Sequence, residues 1–165
     1  MHLEESRFAA PCGELTVVTH EGRLVGLGFA DGDRLLRRSL ARRFGVAPVA
    51  GPAPKAITRA LGAYFGGDLR ALDDVAVDTG GTPFQQKVWR ALRRIPAGQT
   101  VAYRDLARTI GAPDAVRAVG AANGANPVGI VVPCHRVIAA DGTLHGYAYG
   151  LERKRWLLRH ESAIA

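Results

Sequence analysis

Four consecutive residues carry the clearest chemistry in this chain: Pro133-Cys134-His135-Arg136, set between the apolar runs Ile130-Val131-Val132 and Val137-Ile138. A cysteine attacks as its thiolate, and a neighbouring His or Arg lowers the thiol pKa. The apolar flanks predict a partly buried setting, where such shifts are large. The plain alternative is a small buried hydrophobe beside a polar pair. The chain has 2 cysteines, and the other, Cys12, is remote; neither has a CxxC partner. Neither a disulfide framework nor a Cys-rich zinc site is expected, and a free thiol fits a cytoplasmic protein.

A chain of 165 residues, 47% hydrophobic and 22% charged, can bury one core or two small ones. The start, Met1-His2-Leu3-Glu4-Glu5, has no apolar signal core, and no run is long enough to span a bilayer. No membrane partner is expected. The net charge is +7, unevenly spread. Residues 1–80 hold ten Lys/Arg and ten Asp/Glu, whereas residues 81–165 hold twelve and five. A neutral half joined to a basic half predicts that only the second meets a polyanion such as nucleic acid. A well-solvated surface is the competing explanation.

These residues need elements to hold them. Leu15-Thr16-Val17-Val18 and Leu24-Val25-Gly26-Leu27, flanking Glu21-Gly22, read as a β-hairpin. Helices are predicted from Asp33 to Phe44, closed by Gly45, and from Lys55 to Phe65, ending at Gly66-Gly67. The Pro- and Gly-rich stretch between them reads as loop, and Val75-Ala76-Val77 as a last strand before the linker Thr79-Gly80-Gly81. Thr82-Pro83-Phe84-Gln85 is a helix start with a capping box, followed by an apolar stripe of Phe84, Val88, Ala91, Leu92 and Ile95. Short helices over Tyr103–Ile110 and Asp114–Ala122, joined through Gly111-Ala112-Pro113, fit a helix-turn-helix. The second offers one long cation, Arg117, among small residues, including Ala118, Gly120 and Ala121. Such a helix is poor at base readout but lets a backbone approach DNA closely. It suits tight helix packing equally well.

Gly81-Thr82-Pro83-Phe84-Gln85, Arg117-Ala118-Val119-Gly120, Asn126-Pro127, Pro133-Cys134-His135-Arg136-Val137 and Gly146-Tyr147 together resemble the O6-alkylguanine-DNA alkyltransferases, in the same order. The resemblance covers residues 80–161, and residues 1–78 match more loosely. It implies an α+β chain of two domains. Residues 1–78 would form a ribonuclease-H-like α/β domain, and 79–165 a mostly helical, winged-helix-like domain that binds DNA and accepts the alkyl group. No four-cysteine module precedes them, as in the single-function bacterial type.

The implied activity is irreversible, single-turnover transfer of a methyl or other alkyl group from O6-alkylguanine, and from O4-alkylthymine, to Cys134 after base flipping. His135 resembles the residue that activates the thiol through a water, and Glu161 the carboxylate that orients it. Tyr103 resembles the tyrosine that presses on a phosphate and protonates the leaving guanine. Asn126 resembles the hinge asparagine, and Arg117 the finger that fills the stack. Ala118, Gly120, Ala121 and Arg136 are expected at DNA; Val137, Gly146, Tyr147, Ala148 and Tyr149 are expected at the pocket. The implied partner is double-stranded DNA, bound in the minor groove by a monomer that can cluster on it. Neither a metal nor a cofactor is expected. Adjacent residues in extended backbone face opposite ways, so Cys134 and His135 are not expected to bond directly. Ala102 stands where many members carry Ser, which removes about 1 kcal/mol if it caps a helix. Tyr149 stands where members that accept bulky groups carry Ser or Gly.

Three other readings remain at this stage. An alkyltransferase-like lesion binder that transfers nothing would lack Cys134. A Cys–His hydrolase explains neither the helix pair nor the basic half. A DNA-binding regulator sits poorly with so sparse a recognition helix.

Overall fold

The computed structural model describes residues 2–165. The chain divides into two compact units: residues up to Gly80 with Pro127–Val131, and Gly81–Asn126 with Val132–Ala165.

In the first unit, β1 (Glu4–Ala10), β2 (Gly13–His20) and β3 (Arg23–Phe29) form an antiparallel meander, and β4 (Val49–Ala50) adds to β1 in parallel, giving the order β3-β2-β1-β4. The β2–β3 turn places Glu21 and Gly22 at φ of 51° and 78°. Positive φ at both central residues matches the right-handed twist of the flanking strands. Helix α1 (Arg34–Phe44) stops where Gly45 takes the left-handed conformation, and α2 (Lys55–Phe65) follows. Leu36 and Leu40 of α1 close a core with Leu3, Val18 and Val25.

The sequence misses β1, whose polar run Glu4-Glu5-Ser6-Arg7 has no alternation to mark it. The loop expected between the first two helices contains β4, because Val49 and Gly51 donate to the carbonyls of Leu3 and Glu5 at 2.8 and 3.0 Å. Val75-Ala76-Val77 makes only one bridge, between Val77 and Leu24. Pro127–Val131, expected in the second domain, instead joins the first unit. Leu27 N–H donates to the Pro127 carbonyl, and Gly129 N–H to the Leu27 carbonyl, at 3.0 and 2.9 Å.

In the second unit, α3 (Pro83–Arg93) opens on a capping box: Gln85 N–H donates to the Thr82 hydroxyl at 3.1 Å and Thr82 N–H to the Gln85 amide oxygen at 3.0 Å. Gly81, at φ 86°, has a second constraint, since a Cβ there would fall 2.5 Å from the Trp89 ring. Next come β5 (Val101–Ala102), α4 (Tyr103–Thr109), α5 (Val116–Gly124), β6 (Val137–Ile138) and α6 (Leu151–His160). Helix α5 starts two residues later than the sequence predicts, because residues 112–115 form a turn in which Ala115 N–H reaches the Ala112 carbonyl. Trp89 Nε1 donates to the Ala122 carbonyl at 2.8 Å and locks α3 to α5. A mixed-sheet unit followed by a helical unit carrying the α4–α5 pair makes this an α+β fold.

Candidate active site and nucleic-acid interface

Strands β5 and β6 pair in parallel, Val101 with Val137 and Ala102 with Ile138. One strand leads into Tyr103, and the other leads out of Cys134–Arg136. This short pairing therefore brings together residues more than thirty positions apart in sequence. Ala102 is the N-cap of α4 and makes no side-chain cap bond.

The approach to the cysteine is tightly bent. Ile130 lies at φ 70°, and Val131 N–H donates to the Gly129 carbonyl at 2.8 Å, forming a strained γ-turn at a β-branched residue. Asn126 Nδ2 donates to the Val132 carbonyl at 2.7 Å and secures the next step. Cys134–Arg136 then forms a 3-10 turn rather than extended backbone. Cys134 N–H bonds back to Val132 and Arg136 N–H to Pro133, which closes the backbone on itself. At three residues per turn, neighbouring side chains still diverge. Cys134 and His135 thus face different ways for a different reason from the one expected.

His135 and Glu161 are fully or almost fully buried, at 0% and 1% exposure. His135 Nε2 lies 2.9 Å from Glu161 Oε2. Arg136 Nε and Nη2 donate to the two Glu161 oxygens at 2.9 and 2.8 Å, and Nη1 donates to the Ile95 carbonyl at 2.7 Å. Arg136 is therefore an interior anchor, which corrects its expected place at DNA. Burial alone would raise the Glu161 carboxyl, but the hydrogen bonds from Arg136 and His135 outweigh it and hold the group well below the usual range. Burial pushes the His135 pKa down, against the opposing pull of Glu161. A neutral imidazole that donates a hydrogen bond from Nε2–H to an ionised Glu161 carries its lone pair on Nδ1. Among the described residues, Nδ1 has no hydrogen-bond partner.

The thiol departs from expectation as well. Burial raises the Cys134 pKa; a hydrogen bond from Asn126 and the charge of Lys154 work the other way without cancelling it. Arg136 is committed to Glu161, so the nearby guanidinium does not serve the sulfur. Lys154, which sequence reasoning missed, is completely buried. Its Nζ donates to the carbonyls of Val137, His145 and Gly146 at 2.6, 2.9 and 3.4 Å. Burial brings its pKa down to about 8, against the attraction of Cys134. The one available signal was a lysine within Arg153-Lys154-Arg155, in a chain whose bases are otherwise nearly all arginine.

Tyr103 is half-buried, and its hydroxyl lies 3.5 Å from the His145 carbonyl. A Cβ on Gly120 would meet its ring at 3.9 Å, and one on Gly146 its hydroxyl at 4.0 Å. Burial raises its pKa, and the charge of Cys134 adds to the effect, so the phenol keeps its proton. On α5, Val119, Ala122 and Asn123 are buried, whereas Arg117, Ala118 and Ala121 are exposed. Asn123, also missed, donates from Nδ2 to the Cys134 carbonyl at 3.4 Å. Tyr147 and Tyr149 meet edge to face, with ring centroids 5.8 Å apart, beside exposed Gly146 and Ala148. Tyr149 is thus braced by a neighbouring ring.

A buried Cys, His and Glu, a phenol and a helix pair lie together in the second unit, and the chain as a whole resembles known proteins. Residues 83–163 match the family described as 6-O-methylguanine DNA methyltransferase, DNA binding domain. A methylated-DNA–protein-cysteine methyltransferase of Salmonella typhimurium is 48% identical over 99% of this chain and 98% of its own length. One from Mycobacterium bovis is 46% identical over 94% of this chain and 90% of its own. The crystal structure of Mycobacterium tuberculosis OGT in complex with DNA superposes with a TM-score of 0.81 at 42% identity, covering 99% of this chain and 94% of that one. The chain belongs to the methylated-DNA–protein-cysteine methyltransferase family.

Proposed function

We propose that this protein repairs DNA by moving an alkyl group from O6-alkylguanine, and from O4-alkylthymine, onto Cys134, once per molecule. The observation that carries this reading is the buried Glu161–His135 pair, with Nδ1 of His135 left as the base nitrogen close in sequence to a neutral thiol. A water relays the Cys134 proton to Nδ1. Glu161 stabilises the imidazolium that forms, and Asn126 and Lys154 stabilise the thiolate. Sulfur attacks the alkyl carbon, the carbon–O6 bond breaks, and its electron pair passes into the purine. Tyr103, still protonated, supplies a proton to the departing base.

Double-stranded DNA carrying the lesion is the partner. O6 is paired and stacked in a duplex, so the nucleotide must be extruded. The exposed face of α5, with Arg117 above Ala118, Gly120 and Ala121, suits close approach along the minor groove, with Arg117 filling the gap. Val137, Gly146, Tyr147, Ala148 and Tyr149 form the pocket wall. The protein acts in the cytoplasm as a monomer that can cluster on DNA. Mass spectrometry after mixing with O6-methylguanine DNA tests the reading. One added methyl on Cys134, with none on Cys134→Ser despite retained DNA binding, is expected. Methyl transfer by Cys134→Ser would overturn it, and so would binding of the lesion by the native protein without any transfer.

A further inference from the structure

The balanced charge of the first unit conceals an uneven placement. Its acidic side chains are widely engaged. Glu5 and Asp33 pair with Arg37 at 2.8 and 3.1 Å, and Asp78 pairs with Arg43 at 2.7 Å. Glu14 lies 3.5 Å from Arg7, and Asp73 lies 3.8 Å from Arg70. Arg34, Arg38 and Arg42 of α1 are exposed. None of the three makes an ion pair among the described residues. They recur every four residues and so share one helix face, turned away from the buried Leu36 and Leu40.

This stripe works against its own helix. Like charges four residues apart repel. Arg34 also sits in the first turn, at the positive end of the helix dipole; that turn holds no acid, and the N-cap carboxylate of Asp33 is engaged by Thr16 and Arg37. Nothing else in the unit gains from the three cations, but a polyanion would. We infer that Arg34, Arg38 and Arg42 form a second phosphate-contacting surface for DNA, separate from α5. Eight residues of helix rise about 12 Å, roughly the axial spread of three or four phosphates on one strand. Guanidinium groups bind phosphate oxygens in pairs, and contacts of this kind are blind to sequence. Helix α1 carries five arginines and no acidic residue, and so single-signed a face matches a repeating polyanion better than a protein surface of mixed charge.

The inference takes the DNA-repair reading as given, and the test separates the two. Affinity for a long undamaged duplex is measured against salt for the native protein, for R34Q/R38Q/R42Q and for R34K/R38K/R42K. Methyl transfer from free O6-methylguanine base is measured beside it. The Gln variant should flatten the plot of log affinity against log salt by about two to three units, roughly one per lost contact. The Lys variant should keep most of the slope, and all three proteins should react equally with the free base. An unchanged slope in the Gln variant overturns the inference, whether the stripe then serves an acidic protein or only solvent. Failure of the native protein to react with base or DNA would instead overturn the repair reading.

Discussion

Glu161 accepts a hydrogen bond from His135 Nε2–H at 2.9 Å while its two oxygens also hold Arg136, so one buried carboxylate answers two basic groups. Replacing it with Gln leaves Arg136 as an uncompensated interior charge. Glu161→Gln should cost about 3–5 kcal/mol in chemical denaturation and slow transfer roughly 100-fold or more. Adding Arg136→Met should restore much of the stability without restoring transfer. Recovery of both together would show that the carboxylate acts only through folding.

The same pair sets the response to acid. The folded His135 pKa lies below its ordinary 6.5, so the unfolded chain binds the proton first as pH falls. Stability from the neutral imidazole is complete above about 6.5 and is lost below it. Glu161 is also lowered, from 4.5, so its contribution is lost further down, with the same sign. Denaturation midpoints should fall steadily from pH 7 towards pH 4. A flat profile over that range refutes the protonation states assigned here.

Lys154 holds three carbonyls of the pocket backbone and faces the thiol electrostatically. In Lys154→Met those carbonyls lose their donor, at a cost of about 1–3 kcal/mol. With the cation gone, the thiolate forms less readily, so the transfer rate should rise only at higher pH than in the native protein. An identical pH–rate profile would limit Lys154 to support of the backbone.

Arg117 is exposed on α5, and the finger role proposed for it matters only for a substrate that leaves a gap in a stack. Arg117→Ala should slow repair of duplex DNA far more than reaction with free base or a short single strand. Equal losses on both would remove the finger role.

Tyr149 meets Tyr147 edge to face, with ring centroids 5.8 Å apart, and under the proposed pocket assignment its ring takes up space that a bulky adduct needs. O6-benzylguanine should therefore react slowly, and Tyr149→Gly should speed it while leaving methyl transfer nearly unchanged. Fast benzyl transfer by the native protein contradicts the steric argument.

Much of this architecture could be read from the sequence where local chemistry decides it. The ends of α1, α2 and α3 follow from Gly45, Gly66 and the Thr82–Gln85 box, because caps are local hydrogen-bond problems. The pairing of His135 with Glu161 was legible through family resemblance. What escaped depends on long-range placement. Arg136 and Lys154 look like surface cations in sequence, yet each is buried by carbonyls or carboxylates from distant segments. The 3-10 turn at Cys134 hides between two apolar runs that in sequence signal only burial. The stripe on α1 is invisible to a charge count, since acids elsewhere in the unit balance it in number.

The excursion of Pro127–Val131 makes the two units inseparable by a single cut. Cleavage at Gly80 would leave an N-terminal fragment without the segment that pairs with Leu27. It would also leave a C-terminal fragment with the buried residues Val128, Ile130 and Val131 uncovered just upstream of Cys134. Recombination between relatives at the linker would thus join two halves whose β3 and 127–131 segments had never drifted together. Grafting or split-protein designs must respect two joints, and substitutions at Leu27 belong to the inheritance of the 127–131 segment as much as to that of the sheet.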